Sequence, residues 1–272
     1  MASIINKTMD YSDLQTDEAQ PVIQALNELI TTLYSKGLYM TSWYGSLPDG
    51  EGKRGVGIEN RGSAYKPLPN SVDDGRIPWY LYWETSWVTR NGPHVTNNMK
   101  LLDAGGTSSL FSCYLASLGA EVHSIDINAK LISNGNMIAE KMGWNMISYN
   151  MDMRKLDFDD EYFDHAYSIC VFEHLGRETQ KSALSEIARC LKPNGVLSLT
   201  FDYRNPAPHC ARNEPENQLK TKEDIKRIFL STKHLELCGN QEFCDNGESY
   251  LVHPRLNNIP YTFGAIFLKK TA

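Results

Sequence analysis

The chain has 272 residues, an apolar share of 41% and a formal net charge of −6. That length suits one large α/β domain, or a domain with an N-terminal addition, and the negative balance without a dense Lys/Arg cluster argues against long stretches of nucleic acid as a partner. No stretch approaches the roughly 20 apolar residues that span a bilayer, and the opening Met1–Lys7 is too poor in apolar residues for a signal peptide, so the expected location is cytoplasmic with no membrane partner.

Residues 1–98 read as an N-terminal helical and loop cap. A helix beginning near Pro21 would place Val22, Leu26, Leu29, Ile30 and Leu33 on one face. Residues 38–98 are rich in Gly, Pro and aromatics and hold four of the five tryptophans. Pro78 is placed to start a helix in which Trp79, Trp83 and Trp87 form one stripe. Such a stripe reads first as core packing and second as a ligand cage.

Residues 99–272 alternate strand-like apolar runs with helical patterns, the signature of a mostly parallel, doubly wound sheet. Strands are expected at 99–104, 121–126, 145–149, 165–171 and 196–201. The intervening helices fall at 107–119, 129–142 and 178–191. A helix near 221–230 and an antiparallel closing pair at 234–239 and 261–269 complete about seven strands. The six cysteines, at 113, 170, 190, 210, 238 and 244, form no CxxC pair and are expected as free thiols.

The first strand runs into Gly105-Gly106-Thr107-Ser108-Ser109 and then a helix. Residues without a bulky Cβ let the backbone approach a ligand, and the helix start offers free N–H groups at the sheet's carboxyl edge. A tight strand–helix turn with no ligand is the equal alternative for the glycines alone. Asp126, at the end of the second strand, is placed to accept both hydroxyls of an unphosphorylated ribose; a helix N-cap is its alternative. Asp152 follows the third strand, where it would accept from an adenine amine with Met153 against the ring, or serve as a turn residue.

Leu101-Leu102-Asp103-Ala104-Gly105-Gly106, Val122–Asp126, Asp152, Phe163–Leu175 and Glu186–Gly195 together resemble, in order and spacing, the successive motifs of class I S-adenosylmethionine-dependent methyltransferases over residues 98–204. The resemblance implies a Rossmann-like fold, S-adenosylmethionine as cofactor and methyl transfer as the activity. It assigns Asp103, Gly105 and Gly106 to the methionine end and ribose, Asp126 with Ile127 to the ribose, and Asp152 with Met153 to adenine. Cys170 falls below the reacting sulfur. The family's first motif usually continues Gly-x-Gly-x-Gly, whereas Thr107 and Ser108 stand here. An NAD enzyme fits less well, because Gly-x-Gly-x-x-Gly is absent. Some relatives bind a divalent metal through Glu-x-x-Glu-His; Cys170 stands where the first Glu would, so no metal is expected.

A base is needed only for an acceptor that arrives protonated. His174, following the fourth strand, is the candidate, with a locally bonded helix-start residue as its alternative. Tyr203 and Arg204 follow the fifth strand and are expected to meet the acceptor, Tyr203 also as a catalytic residue. Arg61 and Tyr65, in a polar Gly-rich stretch of the cap, are expected to close over the cofactor carboxylate or the acceptor. Aromatic walls favour a cationic amine. The expected acceptor is therefore a small molecule methylated on nitrogen, ahead of O-methylation and of a non-catalytic cofactor-binding subunit; the oligomeric state is left open.

Overall fold

A computed structural model describes residues 5–41, 78–204, 219–249, 251 and 260–271. In chain order the N-terminal part supplies β1 (Lys7–Thr8), α1 (Gln20–Ser35) and α2 (Trp79–Asn91). There follow β2 (Lys100–Ala104), α3 (Leu110–Ser117), β3 (Glu121–Asp126), α4 (Ala129–Met142), β4 (Met146–Asn150) and β5 (His165–Ile169). The chain continues through α5 (Arg177–Cys190), β6 (Val196–Tyr203), α6 (Lys222–Phe229), β7 (Leu235–Leu237) and β8 (Thr262–Lys270).

The strands form one sheet in the order β1-β8-β6-β5-β2-β3-β4, with β7 also paired to β8. Strands β2 to β6 are parallel, and β8 is antiparallel to β6. The closing pair is antiparallel as expected. The eighth strand is β1, whose two residues pair with Gly264 and Ala265; a two-residue strand leaves no period for a sequence to reveal. Strand order reverses beside β2, which opens a crevice between the carboxyl ends of β2 and β5, the place where open α/β sheets take ligands.

Helices cover both faces. Leu26, Ile30, Trp83, Phe111 and Ile138, from α1 to α4, share one core with Tyr167 and Phe267 of the sheet. Leu184, Ile187, Ile228 and Phe229, from α5 and α6, share the other with Leu199 and Phe201. The N-terminal residues thus build one face of the fold and add a strand to its sheet. The tryptophan stripe belongs to that packing: Trp79, Trp83 and Trp87 are buried, Trp83 and Trp87 stack at 5.8 Å, and their indole N–H groups donate to Asp13 and to the Ile5 carbonyl. The five described cysteines are free thiols. Among the described residues, no helix is long and apolar enough to cross a membrane.

Candidate active site

The turn after β2 is fixed by close packing. Gly105 has φ +85°, and a Cβ there would meet Val171 at 2.7 Å. A Cβ on Gly106 would lie 2.3 Å from both carboxylate oxygens of Asp103. Thr107 and Ser108, standing where the family's later glycines would be, are buried and used locally. Thr107 Oγ1 shares a hydrogen bond with Ser124 Oγ at 2.9 Å, and Ser108 takes φ +66°. These residues are spent on the loop, so α3 starts at Leu110, later than the expected 107, with Ser109 as its N-cap.

Above this turn lies a cavity of about 370 Å³. Gly105, Gly106, Thr107, Asp126 and Leu131 line one end, and Cys170, Glu173, His174 and Asp202 line the floor near the ends of β5 and β6. Tyr80, Phe111, Tyr261 and Phe263 contribute the aromatic wall, with Tyr80 and Phe263 stacked at 4.4 Å. Thr41 reaches the same cavity, its N–H donating to the Ser108 carbonyl at 2.8 Å. Among the described residues, the lining carries no lysine or arginine.

The cofactor-end residues fit a nucleoside with a positively charged sulfur. Asn128, not Asp126, is the N-cap of α4, which leaves Asp126 facing the cavity while its Oδ1 accepts the Asn128 N–H at 2.8 Å. Burial raises the Asp126 carboxyl above its ordinary range. Ile127 beside it is 74% exposed, an uncovered apolar surface suited to a flat ring. Asp103 does not line the cavity. It is fully buried beneath Gly106, bonded to the Ser112 hydroxyl, and burial pushes its carboxyl up to about 7. Its role in this geometry is to hold the glycine turn from below. Asp152 also stands outside the lining, gripped by the Arg154 guanidinium at 2.6 Å, a contact that lowers its pKa. Met153 is half-buried nearby.

The floor is acidic. Cys170 holds φ +52° at the end of β5, and its thiol donates to Glu84 Oε1 at 2.7 Å. Glu173 is buried; its Oε1 accepts the Asp202 N–H at 3.2 Å and its Oε2 has no partner. Burial pushes Glu173 up to about 7 and Glu84 up to about 8. His174 Nε2 lies 3.8 Å from Glu173 Oε1, with burial lowering the imidazole pKa against the pull of Asp202. Cys170 Sγ and one oxygen each of Glu173 and Asp202 lie within 4.8 Å of one another, a cluster able to hold a cation.

Two expected acceptor contacts are corrected. Strand β6 continues to Tyr203, and its side chains alternate between the two faces of the sheet. Leu199, Phe201 and Tyr203 therefore enter the core under α5 and α6, while Asp202 lines the cavity. Tyr203 is fully buried, its hydroxyl donates to Asp245 Oδ2 at 2.8 Å, and its pKa is raised by burial. Arg204 pairs with the same Asp245. Neither lines the cavity. Arg61 and Tyr65 lie outside the described residues.

Asp202 opens the Asp202-Tyr203-Arg204-Asn205 run expected to meet the acceptor, and it, not Tyr203, lines the cavity; Glu84 is the residue the sequence reading did not mark. Asp202 follows from alternation once the strand is extended two residues. Glu84 is the one charged residue in the run Trp79-Tyr80-Leu81-Tyr82-Trp83-Glu84-Thr85-Ser86-Trp87-Val88; an acid alone in a buried aromatic helix was the available signal.

Residues 102–199 match the family described as a methyltransferase domain. A phosphoethanolamine N-methyltransferase of Plasmodium falciparum is 26% identical over 203 residues, 69% of this chain and 71% of that protein. An uncharacterised protein of Haemophilus influenzae is 30% identical over 121 residues, and this match spans 43% of the chain and only 47% of the relative. Among solved structures, the fold is similar to the [4+2]-cyclase SpnF, with TM-score 0.57 and 16% identity over 93% of this chain and 97% of that one. It is also similar to a methyltransferase of Aquifex aeolicus, with TM-score 0.50 and 15% identity over 69% and 90%.

Proposed function

We propose that this protein methylates the nitrogen of a small amine with S-adenosylmethionine. One observation carries the reading: Glu173 and Asp202 stand at the floor of an aromatic-walled cavity whose described lining has no cation. An ammonium group gains there from two carboxyls and from the faces of neighbouring rings, whereas a carboxylate or phosphate placed at the same floor is repelled. The name of the Plasmodium relative, a phosphoethanolamine N-methyltransferase, adds support.

Bound S-adenosylmethionine supplies a methyl group on positively charged sulfur. The chain's own residues bind and align. Asp126 accepts the ribose hydroxyls, Gly105 and Gly106 let the backbone close on the ligand, and the packed Asp103–Ser112 pair keeps that turn still. Alignment is the main source of rate in such a displacement, where effective molarities reach roughly 10⁵–10⁸ M. An amine arrives protonated and must lose a proton before its lone pair attacks. Glu173 is a buried carboxyl at the floor with Oε2 left open, and His174 lies beside it at the half-exposed mouth, so the proton leaves from nitrogen to this pair and then to water.

The test is an acceptor panel of amines, phenols and carboxylates, scored by S-adenosylhomocysteine release and by the mass of the product. Amines are expected to be the methylated class. Methylation of phenols or carboxylates with every amine inert would overturn the assignment.

A further inference from the structure

Glu84 is costly where it sits. A carboxyl with no solvent exposure loses its hydration, which penalises the charged form, and an apolar residue would suit helix α2 better. It comes from the N-terminal layer, yet its Oε1 accepts the thiol of Cys170 at 2.7 Å and the Thr200 side chain stands against the same carboxyl. Cys170 in turn occupies the left-handed backbone region at φ +52°, a conformation a side-chain-bearing residue keeps only where its surroundings hold it there. The Cys170 N–H is fixed by Thr200, and its side chain is fixed by Glu84. Three residues further on, Glu173 projects from the same strand-end turn into the cavity floor.

We propose that Glu84 is a positioning residue for the methyl acceptor: by accepting the Cys170 thiol across the sheet face, it fixes the turn from which Glu173 meets the acceptor. The inference rests on the acceptor entering this cavity, as the proposed function requires. The glycine turn is held from below by Asp103 and Ser112 and meets the strand-end turn through the packing of Val171 on Gly105, so the larger effect of Glu84 falls on the acceptor and the smaller on S-adenosylmethionine.

The experiment compares Glu84→Leu with Glu84→Gln, which keeps an oxygen able to accept the thiol. Acceptors are benzylamine, phosphoethanolamine and catechol, and KM and kcat are measured on whichever the unaltered protein methylates. S-adenosylhomocysteine affinity is measured in parallel by calorimetry. Loss of one buried hydrogen bond predicts an acceptor KM raised roughly fivefold to tenfold in Glu84→Leu. Cofactor affinity should stay within about twofold, and Glu84→Gln should stay near the unaltered protein. If Glu84→Leu does not fold, Cys170→Ala removes the other partner of the bond and should raise KM alike. An unchanged KM, an equal loss in both Glu84 variants, or a parallel loss of cofactor affinity overturns the proposal. Methylation of catechol alone refutes the amine reading, while the KM comparison on catechol still judges Glu84.

Discussion

Replacing Gly106 with alanine tests the turn directly. The new Cβ would lie 2.3 Å from both oxygens of the Asp103 carboxyl, against an ordinary van der Waals separation of about 3.5 Å, so something must move by about 1 Å. Asp103 cannot yield, being fully buried with one oxygen held by Ser112. The loop must lift instead, into the cavity end assigned to the cofactor. Overpacking of this kind costs roughly 1–3 kcal/mol of stability. Displacing backbone donors from a charged ligand costs roughly another 1.5–3 kcal/mol of binding, about tenfold or more in affinity. The assay is calorimetric titration with S-adenosylhomocysteine beside a thermal melt. Gly143→Ala is the control: Gly143 ends α4 at φ +68° with nothing within 4 Å of the new Cβ, so it should lose about 1–2 kcal/mol of stability and no affinity. Binding by Gly106→Ala within twofold of the unaltered protein, or an equal affinity loss in Gly143→Ala, would refute the reasoning.

Asp126→Ala removes the carboxyl proposed to accept the ribose hydroxyls and should weaken S-adenosylhomocysteine binding by roughly 1.5–3 kcal/mol; calorimetry reading an unchanged affinity would reject the assignment. Asp103, Glu84 and Glu173 each hold their proton more tightly folded than unfolded, with values raised to about 7, 8 and 7. Unfolding therefore releases protons between about pH 4 and 8, and stability should fall as pH rises through that window, then level off. Chemical denaturation at stepped pH checks the sign, and Glu84→Gln should flatten the slope by a share on the order of 4 kcal/mol across the window; stability rising over the same range would contradict it. His174→Ala should lower turnover of a protonated amine roughly 10²-fold or more at neutral pH, with the loss shrinking as pH approaches the amine's own pKa; a pH-independent loss would show a different role. Treatment with a chelator should leave turnover unchanged, and its abolition would make a metal the occupant of the Cys170–Glu173–Asp202 floor.

The parallel core was readable because each of its strands ends in residues whose chemistry has a fixed place in such a fold. Gly105, Gly106 and Asp126 came to one cavity wall from separated stretches of sequence, an arrangement anticipated by the order and spacing of the whole motif set and its family resemblance, not by the glycines alone. What the sequence hid was orientation. Tyr203 and Asp202 are neighbours, and a single step along a strand exchanges the buried face for the cavity; ending β6 at Phe201 made the larger, more suggestive side chain look like the contact. Ser112 and Asp103 were hidden differently. Asp103 carries the family's motif position, and only packing shows that it acts beneath the glycine turn, with Gly106 kept bare so that the carboxyl fits.

Glu84 was the least legible residue because its partner lies 86 positions away, and helix α2 reads as a tryptophan stripe. The stripe and the acid are nonetheless parts of one device. Trp83 and Trp87 pin the helix to the N-terminal segment through Asp13 and Ile5, and that anchoring lets α2 carry a buried carboxyl to the end of β5 without support of its own. An N-terminal layer that only covered the cofactor would need no such residue. This layer also ties the end of β5 through the Glu84–Cys170 bond, so under the proposed function changes far from the glycine turn, at Trp83 or Asp13, should raise the acceptor KM before they alter S-adenosylhomocysteine affinity.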